Sequence, residues 1–120
     1  MMGDITKNFS RKEFTCKCGC GLNVIDERLV HRLQVIRDIV QEKMIISSGC
    51  RCVDHNQNVG GASVSYHLAG WAADWHFPLD CSDNLYYEVA TLLKDWSGGI
   101  HYYKDKRFFH CDIGKIRRWG

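Results

Sequence analysis

The sequence predicts an α+β fold, with helices packed on a small, mostly antiparallel sheet. Three observations lead there. Apolar residues recur at helical spacing between Asp26 and Glu42 and again between Ser82 and Lys94. Short β-leaning runs fall at Met44–Ser48, Ala72–Phe77, Ile100–Tyr103 and Phe108–Ile113. Turn-forming pairs, Gly98-Gly99 and Asp105-Lys106, lead from the second helix into the last two strands and from one of those strands to the other.

In chain order, Ser10 followed by Glu13 has the form of a capping box for a short opening helix. Cys-Lys-Cys-Gly-Cys-Gly, residues 16–21, is a loop, because alternating thiols and glycines suit neither helical nor strand periodicity. Asp26 is the predicted N-cap of the first long helix, with Leu29, Val30, Leu33, Ile36 and Val40 on its inner face. Met44–Ser48 reads as a short buried strand, and residues 56–65 are Gly-rich and irregular. Ala72–Phe77 is the next strand. Ser82 or Asp83 caps the second helix, with Leu85, Val89, Leu92 and Leu93 directed inward.

At 120 residues, with no linker or repeat, the chain is read as a single domain over residues 1–120. Its 45% hydrophobic and 25% charged residues are those of an ordinary soluble globule. A net charge of +2 with both signs interspersed argues against a dedicated nucleic-acid binder, and the basic tail Lys115–Arg118 reads as solvated surface. No stretch approaches the roughly 18–20 apolar residues of a membrane span. Met1 to Phe14 shows no secretory signal, so synthesis in a reducing cytoplasm is expected, and so is a monomer.

Two histidines and one aspartate stand out. His67 precedes Asp74 by seven residues, and His110 lies in Phe108-Phe109-His110-Cys111-Asp112. Two imidazoles and a carboxylate can hold zinc while leaving a fourth position open for water, the arrangement of a hydrolytic centre. Gly70 and the β-leaning run after it place His67 on a loop and Asp74 on a strand, with His76 sharing the face of Asp74 and His110 on a neighbouring strand. The spacing by itself also suits a capping aspartate and two surface histidines.

The residues around this set carry a family resemblance. Ser47-Ser48-Gly49-Cys50-Arg51, His55-Asn56 with Val59-Gly60-Gly61-Ala62, Ser65-Tyr66-His67 with Gly70 and Ala72-Ala73-Asp74, Gly98-Gly99-Ile100, and Phe109-His110-Cys111-Asp112 with Arg118-Trp119 occur in order. From about Phe14 to Trp119 the chain resembles the zinc D-Ala-D-Ala carboxypeptidase and peptidoglycan endopeptidase family, whose fold the hedgehog signalling domain shares. The branch of small bacterial and phage cell-wall peptidases is the most similar. The resemblance implies His67, Asp74 and His110 as zinc ligands and Arg51 as the group that holds a substrate carboxylate or carbonyl oxygen. A planar, permanently charged guanidinium suits that clamp. Ser65 is read as a loop serine or a support for the ligands, and Tyr66 or Tyr103 as a wall of the cleft.

One departure matters. Zinc hydrolases of this kind use a carboxylate as general base, and the family places it three residues before the last zinc histidine. Here that position is Arg107. Asp112, two residues after His110, either serves as base or orients a ligand. His101 on the preceding strand can take or stabilise the proton, and Asp105 is a weaker candidate. The small cell-wall branch carries His-X-Asp at this place, so the departure does not imply a dead enzyme.

Cys16, Cys18, Cys20, Cys50 and Cys52 cluster in two short segments of a chain with seven cysteines. A second, structural zinc, disulfides and free buried thiols are the three readings of them. Cys111 should face the core and Cys81 carries no signal. The expected function is zinc-dependent cleavage of peptidoglycan stem or cross-link peptides, by a carboxypeptidase or endopeptidase, with a phage endolysin released through a holin as one route to the wall. The alternative is a non-catalytic zinc-containing binding module of the same fold.

Overall fold

Alternation along the central strands sorts residues onto two faces of one sheet, and that sorting builds both the core and the site. The computed structural model describes residues 3–61 and 65–118; Met1, Ala62 and Trp119, which figure in the sequence reading, lie outside them. Among the described residues five strands form one sheet in the order β1 (Ile45–Ser48), β2 (Ala72–His76), β4 (Phe108–Asp112), β3 (Gly99–Tyr103) and β5 (Arg117–Arg118). The first four are antiparallel to their neighbours, and β5 adds a short parallel edge beside β3. The helices are α1 (Glu27–Val40), α2 (Val53–Asn58) and α3 (Asp83–Leu92).

One sheet face carries Ala73, Trp75, Ile100, Phe109 and Cys111, which join α1 and α3 in the hydrophobic core. Trp75 and Phe109 stack at 4.6 Å between ring centroids, and Tyr86 of α3 lies against Phe109 and Tyr102. Trp75 Nε1 donates to Cys111 Sγ at 3.3 Å, so Cys111 is a core residue, as its place on the strand predicts. The helix α1 starts at the expected cap, where Asp26 accepts from the Arg28 N–H. It ends at Gln41, whose φ of 58° reverses the chain. The first turn of α3 is capped by Ser82.

Several elements differ from the periodicity reading. The stretch 56–65, read as irregular, begins inside a helix, α2, whose first turn is capped where the Cys52 Sγ accepts from the His55 N–H. On α3, Tyr86 turns inward, where its hydroxyl accepts from the Phe77 N–H, while Leu92 faces outward. The tail read as solvated surface pairs as β5, and Arg117 is a working part of the site.

Candidate metal centre

Pairing register places the key side chains in one row across the exposed face. Asp74 lies opposite His110, and His110 opposite His101. On the other side Ser48 is aligned with Asp74 through a register shift between Ile46 and Ser48. Such a bulge re-aims a strand beside a functional site. Cross-strand partners point to the same side of a sheet, so the alternation that buries Trp75 and Phe109 presents Asp74 and His110 together.

His67 arrives on a 3-10 turn, Tyr66–Ala69, held at both ends. Ser65 Oγ accepts from the His67 N–H at 3.2 Å, and the turn closes at Gly70, whose φ is 72°. A side chain at Gly70 would meet the Val24 carbonyl 2.5 Å from its Cβ, so glycine is required both by conformation and by space. His67 Nδ1 donates to the Gly49 carbonyl at 2.6 Å, which leaves Nε2 facing Asp74 Oδ1 at 3.4 Å.

His110 is held between two carboxylates. Its Nδ1 lies 2.9 Å from Asp74 Oδ1, and its Nε2 lies 2.8 Å from Asp112 Oδ2. Asp112 is fully buried. Its Oδ1 accepts from the N–H groups of Gly99 and Gly114 at 2.9 and 3.0 Å, and its Oδ2 also accepts from Arg117. Asp112 therefore sits behind His110, with its oxygens engaged, on the side away from His67 and Asp74. The expected alternative of a base facing the substrate does not match that placement.

Arg51 lies beside the carboxylate, with Nη2 3.5 Å from Asp74 Oδ2. Its other nitrogens donate to Ser48 Oγ and Asn56 Oδ1, both at 3.2 Å, and its own N–H donates to the His67 carbonyl. These bonds fix the guanidinium at the mouth of the site. A cleft of about 470 Å³ opens over the set, walled by Arg51, Tyr66, Tyr103, Lys106, Phe108 and Arg117. Asp74 is the one carboxylate among its described lining residues. Asp105 is exposed on its turn and His101 packs against Tyr103, and neither lines that cleft. Arg107, at the position where the resemblance implies a base, turns away to Asp83, the Cys81 carbonyl and the ring of Tyr86. His76 shares the face of Asp74 without joining the cluster.

The donor set fits zinc. The ligand atoms of His67, Asp74 and His110 all lie within 4.8 Å of one another. Ligands bound to one tetrahedral zinc ion at about 2.0–2.1 Å are about 3.3 Å apart, close to the contacts seen here. Each imidazole donates its other N–H to an acceptor, the orientation that metal-ligating histidines adopt.

Electrostatics favours a cation at this point. Burial would raise the Asp74 carboxyl, but hydrogen bonds from His110 and His67 outweigh it and hold Asp74 far below the usual carboxylate range. Burial would likewise lower His110, but Asp112 and Asp74 raise it above the usual imidazole value. Below that raised value a metal at Nδ1 must displace a proton from His110. Zinc affinity is expected to fall as the pH drops through and below that raised value, because the proton then competes. Calorimetric titration in buffers of differing ionisation enthalpy should count that released proton.

A second group of potential ligands lies elsewhere. The thiols of Cys16, Cys18, Cys20 and Cys52 converge within 4.8 Å of one another. Cys50, expected in the same group, is instead buried and donates to the Leu22 carbonyl at 3.2 Å. All seven cysteines are free thiols.

Sequence reasoning missed several supports of the first site: the Gly49 carbonyl, the Gly99 and Gly114 N–H groups, Ser48, Asn56 and Arg117. The resemblance marked their neighbourhoods, but only the folded chain shows what each one holds. A search of curated proteins finds no match to this chain. A family model for Peptidase M15 matches residues 7–112, a span that contains all three residues of the zinc-type set and their support Asp112. The chain belongs to the peptidase M15 family, whose members are zinc-binding metallopeptidases.

Proposed function

We propose that this metallopeptidase hydrolyses peptide bonds in the stem or cross-link peptides of peptidoglycan. The observation that carries the reading is the three-residue set His67, Asp74 and His110 on the floor of a cleft with Arg51 at its edge. The walls add Lys106 and Arg117. A cationic cleft suits peptides that carry free carboxylates, as wall stem peptides do.

Zinc bound by the three residues would act as a Lewis acid towards a carbonyl and would lower the pKa of a bound water. The chain's own groups do the rest. His67 presents Nε2 because Nδ1 is committed to Gly49, and His110 presents Nδ1 because Nε2 is committed to Asp112. Arg51 positions a substrate carboxylate or carbonyl oxygen through its fork of donors. Asp112 positions His110. For proton transfer we assign His101, which lies opposite His110 on the same face of the sheet, just outside the residues that line the cleft. Its substitution by alanine should lower kcat about a hundredfold while zinc content stays unchanged.

Arg51→Lys is expected to raise KM about tenfold or more and to lower kcat less, because an ammonium cannot replace the bidentate fork. Steady-state kinetics on a synthetic stem peptide reads this split. Delivery to the wall belongs to the same proposal: a chain made in the cytoplasm would reach its substrate through a membrane lesion of the holin type. Among the described residues no helix is long and apolar enough to cross a membrane.

The non-catalytic binding module stays in view for one reason, that Asp74 is the one carboxylate among the described residues lining the cleft. Mass spectrometry of muropeptides after digestion with zinc-loaded protein decides between the two. New peptide termini support the peptidase and identify the bond. Tight binding to wall fragments with no cleavage would leave the binding module.

A further inference from the structure

We propose that Cys16, Cys18, Cys20 and Cys52 hold a second zinc ion as four thiolates, a structural site separate from the His67–Asp74–His110 centre. The four sulfur atoms lie within 4.8 Å of one another, with Cys16 and Cys18 at 3.5 Å and Cys18 and Cys52 at 3.6 Å. Four sulfurs at about 2.3 Å from one tetrahedral ion are about 3.8 Å apart, close to these distances and far from the bond length of a disulfide.

The backbone supplies a second, independent sign. Cys52 N–H donates to Cys16 Sγ, and His55 N–H donates to Cys52 Sγ, both at 3.4 Å. Amide donors aimed at sulfur favour the thiolate, the form that binds metal. In the alternating sequence Cys-X-Cys-X-Cys, Gly19 and Gly21 take φ values of 88° and 86°, turning the chain after Cys18 and after Cys20.

The loop also needs such a fastening. Cys18 and Cys20 are exposed, and residues 15–26 form neither helix nor strand. A short irregular segment with little buried apolar surface is the setting in which metals replace a core. Cys52 follows Arg51 directly, and three residues before it Gly49 offers the carbonyl that orients His67. The ion therefore ties the N-terminal loop to the segment that serves the first site. The thiols release their protons to solvent as it binds.

The test isolates this site from the catalytic one. The full chain carrying His67→Ala and Asp74→Asn should still bind one equivalent of cobalt(II), with the intense sulfur-to-cobalt charge-transfer absorption of a tetrathiolate. Adding Cys18→Ser and Cys52→Ser should abolish that absorption. In the unsubstituted zinc-loaded chain, titration with a mercurial reagent should release one zinc equivalent as the clustered thiols react, which guards against a variant that fails to fold. Cobalt uptake without the charge-transfer band, thiol modification that releases no zinc, or a Cys18–Cys52 disulfide in the intact mass spectrum would each overturn the proposal. Loss of hydrolysis or of zinc at the histidine site alone would leave it untouched.

Discussion

His67→Ala is expected to remove zinc from the catalytic set and to lower kcat/KM by about a thousandfold or more. Lewis-acid stabilisation is worth several kcal/mol of barrier, and each 1.4 kcal/mol or so is a factor of about ten. The two remaining ligands, Asp74 and His110, would hold the ion weakly and without a fixed geometry. His67 is buried, so alanine also leaves the Gly49 carbonyl without its donor. That loss should cost about 1–3 kcal/mol of stability, which a urea titration can measure. Asp74→Asn separates the two effects, since it keeps the side-chain volume while removing the charge. If both variants kept zinc and activity, the three-ligand centre would not be the catalytic one.

The second large effect concerns Asp112. Asp112→Ala strips His110, Arg117 and two backbone N–H groups of a shared, fully buried acceptor. A destabilisation of about 3–5 kcal/mol is expected, the usual cost of breaking one side of a buried charged network. Asp112→Asn is the gentler probe. It keeps the shape and should weaken zinc binding about 10–100-fold by loosening the orientation of His110. A third route to the same injury is Gly99→Ala, whose Cβ would lie 2.3 Å from Asp112 Oδ2. Zinc titration and urea unfolding on the three proteins should rank them alike. Full activity in Asp112→Asn with weakened zinc binding would confirm a positioning role, whereas normal zinc binding with lost activity would return Asp112 to the chemistry.

The parts of this fold that a sequence can display are those with a period. Leu29, Leu33 and Ile36 announce α1, and alternation through Ala73, Asp74 and Trp75 announces β2 and the side of the sheet on which Asp74 stands. Residue chemistry made His67, Asp74 and His110 visible as a set. What remained hidden depends on contacts between distant segments. Nothing in the order Cys50-Arg51-Cys52 says that one thiol turns towards Leu22 while the next joins the loop cluster. Nothing in Lys115–Arg118 says that two residues pair with β3 and bring a guanidinium to Asp112. The role of Asp112 was the finest such distinction, because a base and an orienting group use the same side chain and differ only in which way it faces.

The row of side chains across β1, β2, β4 and β3 has a kinetic consequence. Its members come from β1, β2 and the β3–β4 hairpin, and the turn with His67 docks on them from outside. His67 and Asp74 lie close in sequence, but His110 comes from β4, 36 residues beyond Asp74, so the complete set exists only once β2 and β4 have paired. The ion is thus a ligand of the finished sheet and cannot act as a template for its nucleation. It should leave the refolding rate almost unchanged and slow unfolding, with a gain in stability that grows logarithmically with free zinc. The thiol loop differs in this respect, since three of its four sulfurs fall within five consecutive residues, Cys16 to Cys20, and are near one another before any strand has paired.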